Sequence, residues 1–178
     1  SLVRATAHRA ETLGMSSLGV TFDPNPLELL RPEIAPTRLC SVPRRVALLE
    51  GAGLDQVEVL RFDESLAAMS AEAFTTEILV DRLQVEQVVI GHGFRFGHRA
   101  AGTAETLRAA GIEVQEVNLL ADAAEPVSSS RIRAAIAEGQ VEVAADLLSR
   151  WHSLEGPVTR GHGRGREFGY PTANVAVD

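Results

Sequence analysis

The segment most suited to phosphate chemistry is a run of three serines followed by arginines. Ser128, Ser129 and Ser130 stand where a helix is predicted to begin, and Arg133 lies one turn further on. The amino terminus of a helix offers unpaired N–H groups and partial positive charge, and an arginine can neutralise charge that develops on a transferring phosphate. The segment therefore indicates a phosphate site, although an ordinary serine cap followed by a surface arginine would give the same local pattern.

Two further segments have residue types suited to holding a flat, partly apolar ligand. Residues 91–97 form a glycine-punctuated loop in which Phe94 and Phe96 offer faces for stacking on a ring, while the glycines would let the backbone approach it. Pro24 and Pro26 directly follow a predicted strand and could form a rigid wall. The alternatives are that the phenylalanines plug the loop onto the core and that the prolines only end the strand.

A basic, glycine-rich segment near the end of the chain could approach a nucleotide. Residues 161–166 form a positively charged run with three glycines. Thr172 and Asn174 follow with neutral oxygens of the hard type that Mg²⁺ accepts. A charged turn between two strands is the simpler interpretation of the same residues.

Apolar spacing, caps and breakers predict a regular alternation of helices and strands. The predicted helices cover residues 2–13, 44–50, 70–81 and 103–111, with another from Ser128 or Ser129 to about Gly139, and the predicted strands cover residues 17–22, 56–62, 87–90 and 112–119. This order predicts right-handed βαβ units and therefore the α/β class, with a doubly wound parallel sheet. Ligands bind beyond the carboxyl ends of such strands, where residues 23–26, 91–97 and 128–133 are expected.

The pattern changes after Arg150. Residues 154–159 are typical of a strand, and the stretch that follows is rich in turns. We therefore predict one α/β domain over residues 1–150 and the opening of a second domain over residues 151–178.

Composition excludes several classes of protein. The chain of 178 residues has no stretch near the roughly 20 apolar residues of a membrane span. No basic-plus-apolar pattern appears near its start, so we expect no secretory signal. A net charge of −7 argues against broad nucleic-acid binding, and a single cysteine, Cys40, excludes an internal disulfide framework. The histidines lack the spacing of a metal site. We predict a cytoplasmic protein with no membrane or nucleic-acid partner, and the sequence leaves its oligomeric state open.

Four segments, taken in order, are similar to motifs of one enzyme family. TFDPNP at residues 21–26 is similar to the family's TFDPHP, residues 91–97 to its GxNFxFG loop, and residues 128–133 to its SSTxIR signature. Residues 156–174 resemble the riboflavin kinase opening GxVxxGxxxGRxxGxPTAN. Along nearly its whole length the chain resembles the bacterial bifunctional riboflavin kinase/FMN adenylyltransferases, the FAD synthetases.

The resemblance implies two Mg-ATP-dependent activities. A nucleotidyltransferase domain of Rossmann-like fold over residues 1–150, incomplete at its N-terminus, would transfer an adenylyl group from ATP to FMN, giving FAD and pyrophosphate. Residues 151–178 would open a small β-barrel that phosphorylates riboflavin to FMN in the complete protein. ATP and the flavins riboflavin, FMN and FAD are thus the implied substrates and products.

The resemblance also implies roles for individual residues. By the resemblance, the transition state would be stabilised by Ser129, Ser130 and Arg133, and ATP would be bound by Ser128, Ser129, Ser130, Arg133, Gly161, Gly165 and Arg166. The flavin would be bordered by Pro24, Pro26, Phe94 and Phe96, and Mg²⁺ would be held by Thr172 and Asn174.

The chain departs from the family pattern at one loop position, since Gly93 stands where the family has asparagine. The family's GxFDGxHxGH motif is expected just upstream of Leu2, and the kinase's catalytic carboxylate beyond Asp178. Two alternatives remain open at this point. One is another small-molecule adenylyltransferase of the same fold, and the other is a truncated chain that binds flavin or nucleotide without turnover.

Overall fold

The computed structural model of the chain describes residues 2–118, 121–122, 125–160, 165, 168–170 and 172–176. The chain forms two compact units. The first unit comprises Ser1–Pro36 and Val46–Val127, and the second comprises Thr37–Arg45 and Ser128–Asp178. The second unit is therefore built from two stretches that are far apart in sequence.

The first unit mixes helices and strands. Its helices are α1 (Leu2–Leu13), α2 (Pro26–Leu30), α4 (Glu64–Ala68), α5 (Ala71–Ala73) and α6 (Ala104–Ala109), and α3 (Val42–Gly51) begins in the second unit and ends in the first. Its strands are β1 (Leu18–Asp23), β2 (Gln56–Arg61), β3 (Gln87–Gly91), β4 (Glu113–Val117), β5 (Ala121–Asp122) and β6 (Glu125–Pro126). The four longer strands lie close to their predicted bounds, whereas α2, α4 and the short β5 and β6 were not predicted.

The longer strands pair in parallel, as the α/β prediction requires. β1 pairs with β2 in the register Leu18↔Gln56, and β3 pairs with β4 in the register Gln87↔Glu113. Within the described residues these are two separate two-stranded sheets, and β5 and β6 form a small antiparallel pair. The mixed α/β class with parallel strands is thus confirmed, while one continuous doubly wound sheet stays a prediction.

Helix ends follow the local signals in the sequence. Gly14 adopts φ +66° immediately after α1, a left-handed conformation that favours glycine. Ser70 caps α5 by accepting a hydrogen bond from the Ala73 N–H at 3.1 Å. Thr103 is the cap residue of α6, and its N–H donates to the Thr106 Oγ1 at 3.2 Å.

The helix after Ser70 departs from α-geometry. From Phe74–Arg82 it is a π-helix, and the Leu83 N–H donates to the Ile78 carbonyl five residues back at 2.9 Å. The buried residues of α5 and the π-helix are Ala71, Thr75 and Leu79, which follow one another at intervals of four. The helix predicted over residues 70–81 is confirmed, and its apolar residues Phe74 and Ile78 are only partly buried.

The core of the first unit lies around β3. Its buried members are Leu79, Ile90, Leu107 and Ile112, which come from the π-helix, β3, α6 and the residue before β4. Phe74 and Phe96 are among the partly buried side chains that pack against this cluster. Because β3 and β4 are fixed by this core, the loop at the carboxyl end of β3 begins from a rigid base.

A polar pair joins the amino ends of β1 and β2. Asp55 Oδ2 accepts hydrogen bonds from the backbone N–H and the hydroxyl of Ser17, both at 2.8 Å, and the Asp55 N–H donates to Ser17 Oγ at 3.0 Å. Ser17 is buried. The two bonds from Ser17, the backbone one first, lower the pKa of the Asp55 carboxyl below its usual range.

Replacing Asp55 with asparagine is expected to remove a pH-dependent part of the free energy of unfolding. The folded state lowers the pKa of Asp55, so its contribution is present above the ordinary aspartate pKa of about 3.9. It is lost as the pH falls through the lower, folded-state pKa. Urea denaturation of both proteins between neutral and strongly acidic pH should show their stability difference shrinking only at the acidic end.

Asp81→Asn is the control for this experiment, because Asp81 is exposed and makes no side-chain hydrogen bond within the described part of the chain. A stability difference between the original protein and Asp55→Asn that stays constant over the whole pH range would contradict the prediction.

The second unit contains two helices and a short antiparallel pair. α7 (Ser129–Ala137) and α8 (Val141–Leu148) pack together, burying Ile132 and Ala135 of α7 and Ala144 of α8. β7 (Val158–Thr159) pairs with β8 (Asn174–Val175). The sequence interpretation missed α8 and predicted a longer strand over 154–159, of which only the last two residues form one. No helix in the described part of the chain is long and apolar enough to cross a membrane.

Candidate active site

The carboxyl end of β1 forms a rigid corner. The Asp23–Pro24 peptide is cis, and Asn25 caps α2 by accepting from the Leu27 N–H at 3.0 Å. Pro26 is the first residue of α2, where its missing N–H costs no hydrogen bond. Pro24 and Pro26 are both partly buried, so they present a fixed surface directly after the strand.

The loop after β3 is held at both of its ends. At the start, the Phe94 N–H donates to the Gly91 carbonyl at 3.1 Å, which closes a turn around Gly93 at φ +75°. Further on, Phe96 and Gly102 exchange backbone hydrogen bonds of 3.3 and 2.8 Å. The loop therefore has a defined shape rather than the freedom that its glycines alone would allow.

Gly97 fixes the loop against the start of α5. It adopts φ +72°, and a Cβ atom there would lie 2.7 Å from both the backbone nitrogen and Cα of Ala71. Neither atom can move away without shifting the helix. A residue without a side chain is required at Gly97 for both conformational and steric reasons.

Replacing Gly97 with alanine is expected to destabilise the protein more than replacing Gly93. Both glycines have positive φ, which costs an alanine roughly 1–2 kcal/mol, but a Cβ at Gly93 would meet no atom within 4 Å. Gly97→Ala adds a clash with backbone, so its loss should exceed that of Gly93→Ala by at least about 1 kcal/mol. Urea denaturation of the two variants measures the difference. Equal losses in the free energy of unfolding would show that Ala71 moves away from the new Cβ at little cost, and would contradict the prediction.

The two phenylalanines of the loop have different environments. Phe96 packs towards the core, with its ring centroid 5.9 Å from that of Phe74. Phe94 stacks on Phe96 at 6.0 Å with an interplanar angle of 12°, and it remains 47% exposed. Phe96 thus has the plugging role that was one of the two alternatives, while Phe94 presents an apolar face to solvent.

Ionisable side chains lie beside the start of the loop. His92 Nδ1 is 3.4 Å from Glu116 Oε2, and Glu116 Oε1 accepts from Arg108 at 3.1 Å. Arg108 also bonds Glu105 at 2.5 Å. These carboxylates, Glu116 first, raise the pKa of the Arg108 guanidinium, so the arginine remains charged.

The start of α7 has the arrangement predicted for the serine segment. Ser128 is the cap, because its backbone is extended and its Oγ accepts from the Arg131 N–H at 3.2 Å. Ser129 and Ser130 occupy the first turn and are exposed. Within the described part of the chain, no hydrogen bond uses either of these two hydroxyls, so both can turn to a ligand at the helix start.

Arg133 is oriented from outside its own helix. Its Nε donates to the backbone carbonyl of Thr37 at 2.5 Å, and the side chain is partly exposed. One N–H of the guanidinium is thereby fixed, which limits the directions in which the planar group can present its remaining donors. Thr37 was not singled out in the sequence, and no local pattern could have found a contact across 96 positions.

The candidate Mg²⁺ ligands lie at β8. Asn174 is in the strand, Thr172 is two residues before it, and both are exposed. Gly165 lies against Tyr170 and Thr172, and the Tyr170 N–H donates to the Gly165 carbonyl at 2.8 Å. Gly161 and Arg166 lie outside the described residues. Two neutral oxygens fit Mg²⁺ as part of a set that phosphate oxygens and water complete.

Comparisons with known proteins match both parts of the chain. A family model described as FAD synthetase matches residues 1–131, and one described as riboflavin kinase matches residues 148–178. The chain belongs to the FAD synthetase family. The FAD synthetase match ends inside α7, and the riboflavin kinase match begins at the end of α8.

Several relatives share the name bifunctional riboflavin kinase/FMN adenylyltransferase. The protein of Escherichia coli K12 is 33% identical over 183 residues, which cover 96% of this chain and 58% of that protein. That of Pseudomonas fluorescens is 37% identical, covering 95% and 55%. That of Buchnera aphidicola from Schizaphis graminum is 32% identical, covering 89% and 52%. The chain spans about half the length of the curated relatives that it matches.

A solved structure shares the fold. A Streptococcus pneumoniae protein, whose crystal structure is titled as that of a macrolide-efflux protein, superposes with a TM-score of 0.80 at 28% identity. The likeness covers 99% of this chain and 58% of that one. The arrangement of helices and strands in this FAD synthetase family member is thus shared by an experimentally determined protein.

The predicted site residues of this FAD synthetase family member divide between the two units. The flavin candidates Pro24, Pro26, Phe94 and Phe96 all lie in the first unit, and the phosphate candidates Ser128, Ser129, Ser130 and Arg133 all lie in the second. The flavin candidates sit at the carboxyl ends of β1 and β3, the positions at which parallel strands present ligand-binding loops. The roles of all these residues remain predictions.

Proposed function

We propose that this protein transfers the adenylyl group of ATP to FMN, giving FAD and pyrophosphate. The observation that carries the proposal is the start of α7, where Ser128 caps the helix, Ser129 and Ser130 are exposed, and Arg133 is oriented by Thr37. Membership of the FAD synthetase family supports the choice of FMN as the acceptor. The names of the curated relatives describe the same reaction.

The residues at α7 act by position and charge. The hydroxyls of Ser129 and Ser130 and the first N–H groups of the helix bind ATP phosphate oxygens. Arg133 faces the charge that grows as the FMN phosphate attacks the α-phosphorus and pyrophosphate leaves. No covalent intermediate on the protein is needed, because the FMN phosphate oxygen is itself the nucleophile.

The flavin ring is bound by the first unit. Phe94 offers a half-exposed face already stacked on Phe96, so little side-chain entropy is lost when a ring packs against it. Pro24 and Pro26 form a second rigid surface at the end of β1. Gly93, in place of the family's asparagine, leaves the loop without a polar side chain at that position, and ring recognition then depends mainly on apolar contact.

The second activity that we propose is the phosphorylation of riboflavin to FMN in the protein that contains the complete kinase region. Thr172 and Asn174 would hold Mg²⁺ together with nucleotide phosphates, and Gly161, Gly165 and Arg166 would border the nucleotide. The ion, when bound, neutralises phosphate charge and orients the transferring group. The antiparallel β7–β8 pair supports the start of a β-barrel within residues 151–178.

The finer structural and cellular predictions belong to the same proposal. The parallel pairs β1–β2 and β3–β4 and the TM-score of 0.80 support a Rossmann-like, doubly wound sheet. The domains would be residues 1–150 and 151–178. The protein would work in the cytoplasm on ATP and flavins, with no nucleic-acid or membrane partner.

Titration of flavin fluorescence tests the binding part of the proposal. FMN, FAD and riboflavin are added in turn, with and without Mg-ATP, and saturable quenching by FMN and FAD is expected. Chromatographic detection of FAD after incubation with FMN and Mg-ATP tests turnover. ATP binding by calorimetry without flavin quenching would contradict FMN as the acceptor, and quenching without FAD formation would contradict catalysis by this chain.

A further inference from the structure

Side chains at three later positions in the chain contact the segment Thr37–Arg45 and attach it to the rest of the second unit. Arg133 Nε donates to the Thr37 carbonyl at 2.5 Å, and His152 Nε2 lies 3.1 Å from the Leu39 carbonyl. Glu155 completes the attachment, since Ser41 donates to its Oε2 at 3.5 Å and Arg44 forms an ion pair with its Oε1 at 3.3 Å.

The contacts made by Arg133 and His152 are to neighbouring carbonyls of one short stretch of backbone, residues 37–39. Thr37 and Leu39 are separated by one residue, so the direction of the Thr37 carbonyl depends on where Leu39 is held. The bond from His152 is partly shielded from water. A carbonyl oxygen can only accept, so His152 donates from Nε2, which both the appropriate neutral tautomer and the charged ring allow.

We infer that His152 is a positioning residue for adenylyl transfer. By fixing the Leu39 carbonyl it keeps the Thr37 carbonyl in place, and the Thr37 carbonyl in turn orients the guanidinium of Arg133. The inference rests on the proposed function for the role of Arg133. Beyond that role, we infer that His152, which lies inside the riboflavin kinase match over residues 148–178, sets the orientation of the Arg133 guanidinium used in adenylyl transfer.

Glu155 holds the opposite end of the segment Thr37–Arg45. Its carboxylate holds the hydroxyl of Ser41 and the side chain of Arg44, at the point where the segment enters α3. Ser41 also caps that helix by accepting from the Arg44 N–H at 3.3 Å. The segment is thus fixed at its beginning by Arg133 and His152 and at its end by Glu155.

The kinetic test compares His152→Leu, which removes the donor, with His152→Gln, which keeps an N–H donor on a shorter side chain. One neutral hydrogen bond is worth a factor of about 5 in an equilibrium, so kcat for FAD formation should fall about 5-fold in His152→Leu with an unchanged KM for FMN. His152→Gln should recover most of the loss. His8→Leu is the control, because His8 is exposed and makes no side-chain hydrogen bond within the described part of the chain.

A double-mutant cycle separates positioning from general damage. If His152 acts through Arg133, His152→Leu should have no further effect on kcat in an Arg133→Ala background. Losses that multiply in the double variant would overturn the inference, as would an unchanged kcat in the single variant. Should His152→Leu fail to fold, His152→Phe takes its place, because it also removes the donor but keeps a ring: a lower kcat at unchanged KM supports the inference, and an unchanged kcat overturns it.

A second readout needs no activity. The Nε–H group of Arg133 gives its own signal in a ¹⁵N–¹H spectrum, identified by its loss in Arg133→Lys. It should exchange slowly with water in the original protein and in His152→Gln, and fast in His152→Leu. Unchanged exchange in His152→Leu overturns the inference. If the original protein forms no FAD, the proposed function fails while this signal still decides whether His152 positions Arg133.

Discussion

Replacing Arg133 with alanine is expected to lower kcat for FAD formation about 100-fold to 1,000-fold, the loss seen when one donor to a transition-state oxyanion is removed. The affinity for FMN should change much less, because the charge that Arg133 faces grows as the α-phosphorus is attacked. Steady-state kinetics of FAD formation measures kcat, and fluorescence titration with FMN measures the affinity.

Two further arginine variants sharpen this test. Arg133→Lys keeps a positive charge but cannot reproduce the planar guanidinium that Thr37 orients, so it should recover only part of the activity. Arg150→Ala removes an arginine of the same unit whose side chain, among the described residues, bonds the backbone carbonyl of Trp151 alone, and kcat should be unchanged. Equal losses of kcat and FMN affinity in Arg133→Ala would contradict a transition-state role.

Replacing Phe96 with alanine is expected to lower the free energy of unfolding by about 2–4 kcal/mol, because the ring packs on Phe74 and the core cluster but is only partly buried. For a chain of this length the melting temperature should fall by roughly 5–15 °C. Thermal unfolding followed by circular dichroism measures the change.

Phe94→Ala is the matched variant from the same loop. Its ring is 47% exposed, so stability should fall by less than about 1 kcal/mol. Removing the Phe94 ring should instead weaken FMN binding about 10-fold, the value of one aromatic contact. If Phe94→Ala destabilised the protein as much as Phe96→Ala while FMN affinity stayed the same, the proposed division between a supporting and a binding ring would be wrong.

The parts of the fold that could be predicted from sequence are those fixed by local signals. Gly14 ends α1, Ser70 caps α5 and the run of serines at 128–130 begins α7, because each signal acts within one turn of its own position. The apolar strands β1 to β4 were predicted for a similar reason, since their side chains alternate or run continuously over a few residues. Such features depend on neighbours in the chain and not on the rest of the molecule.

The parts that could not be predicted depend on distant residues or on small differences in geometry. The Thr37 contact to Arg133 joins positions 96 apart, and nothing near Thr37 marks it. The π-helix over Phe74–Arg82 differs from an α-helix by one residue in hydrogen-bond spacing, which apolar periodicity does not resolve. α8 was not predicted because its cap position is Gln140, which makes no side-chain cap hydrogen bond and is not one of the residue types that mark a helix start.

For the candidate site, the sequence supplied the residue types and the structure supplied their differences. Phe94 and Phe96 were equivalent as a pair of aromatics in a glycine-rich loop, and only their packing distinguishes the exposed ring of Phe94 from the partly buried ring of Phe96. Ser128, Ser129 and Ser130 were likewise equivalent, until the hydrogen bond from the Arg131 N–H identified Ser128 as the cap. The family resemblance found in the four motifs is confirmed by the matched family models.

The discontinuous second unit has a consequence for synthesis on the ribosome. Thr37–Arg45 is translated well before Ser128–Asp178, and at 5–20 residues per second the delay is on the order of ten seconds. During that interval the carbonyls of Thr37 and Leu39 lack the partners that they have in the finished protein. The first unit is complete only at the end of this interval, because it extends to Val127. The orientation of Arg133 is acquired later still, after His152 has been translated.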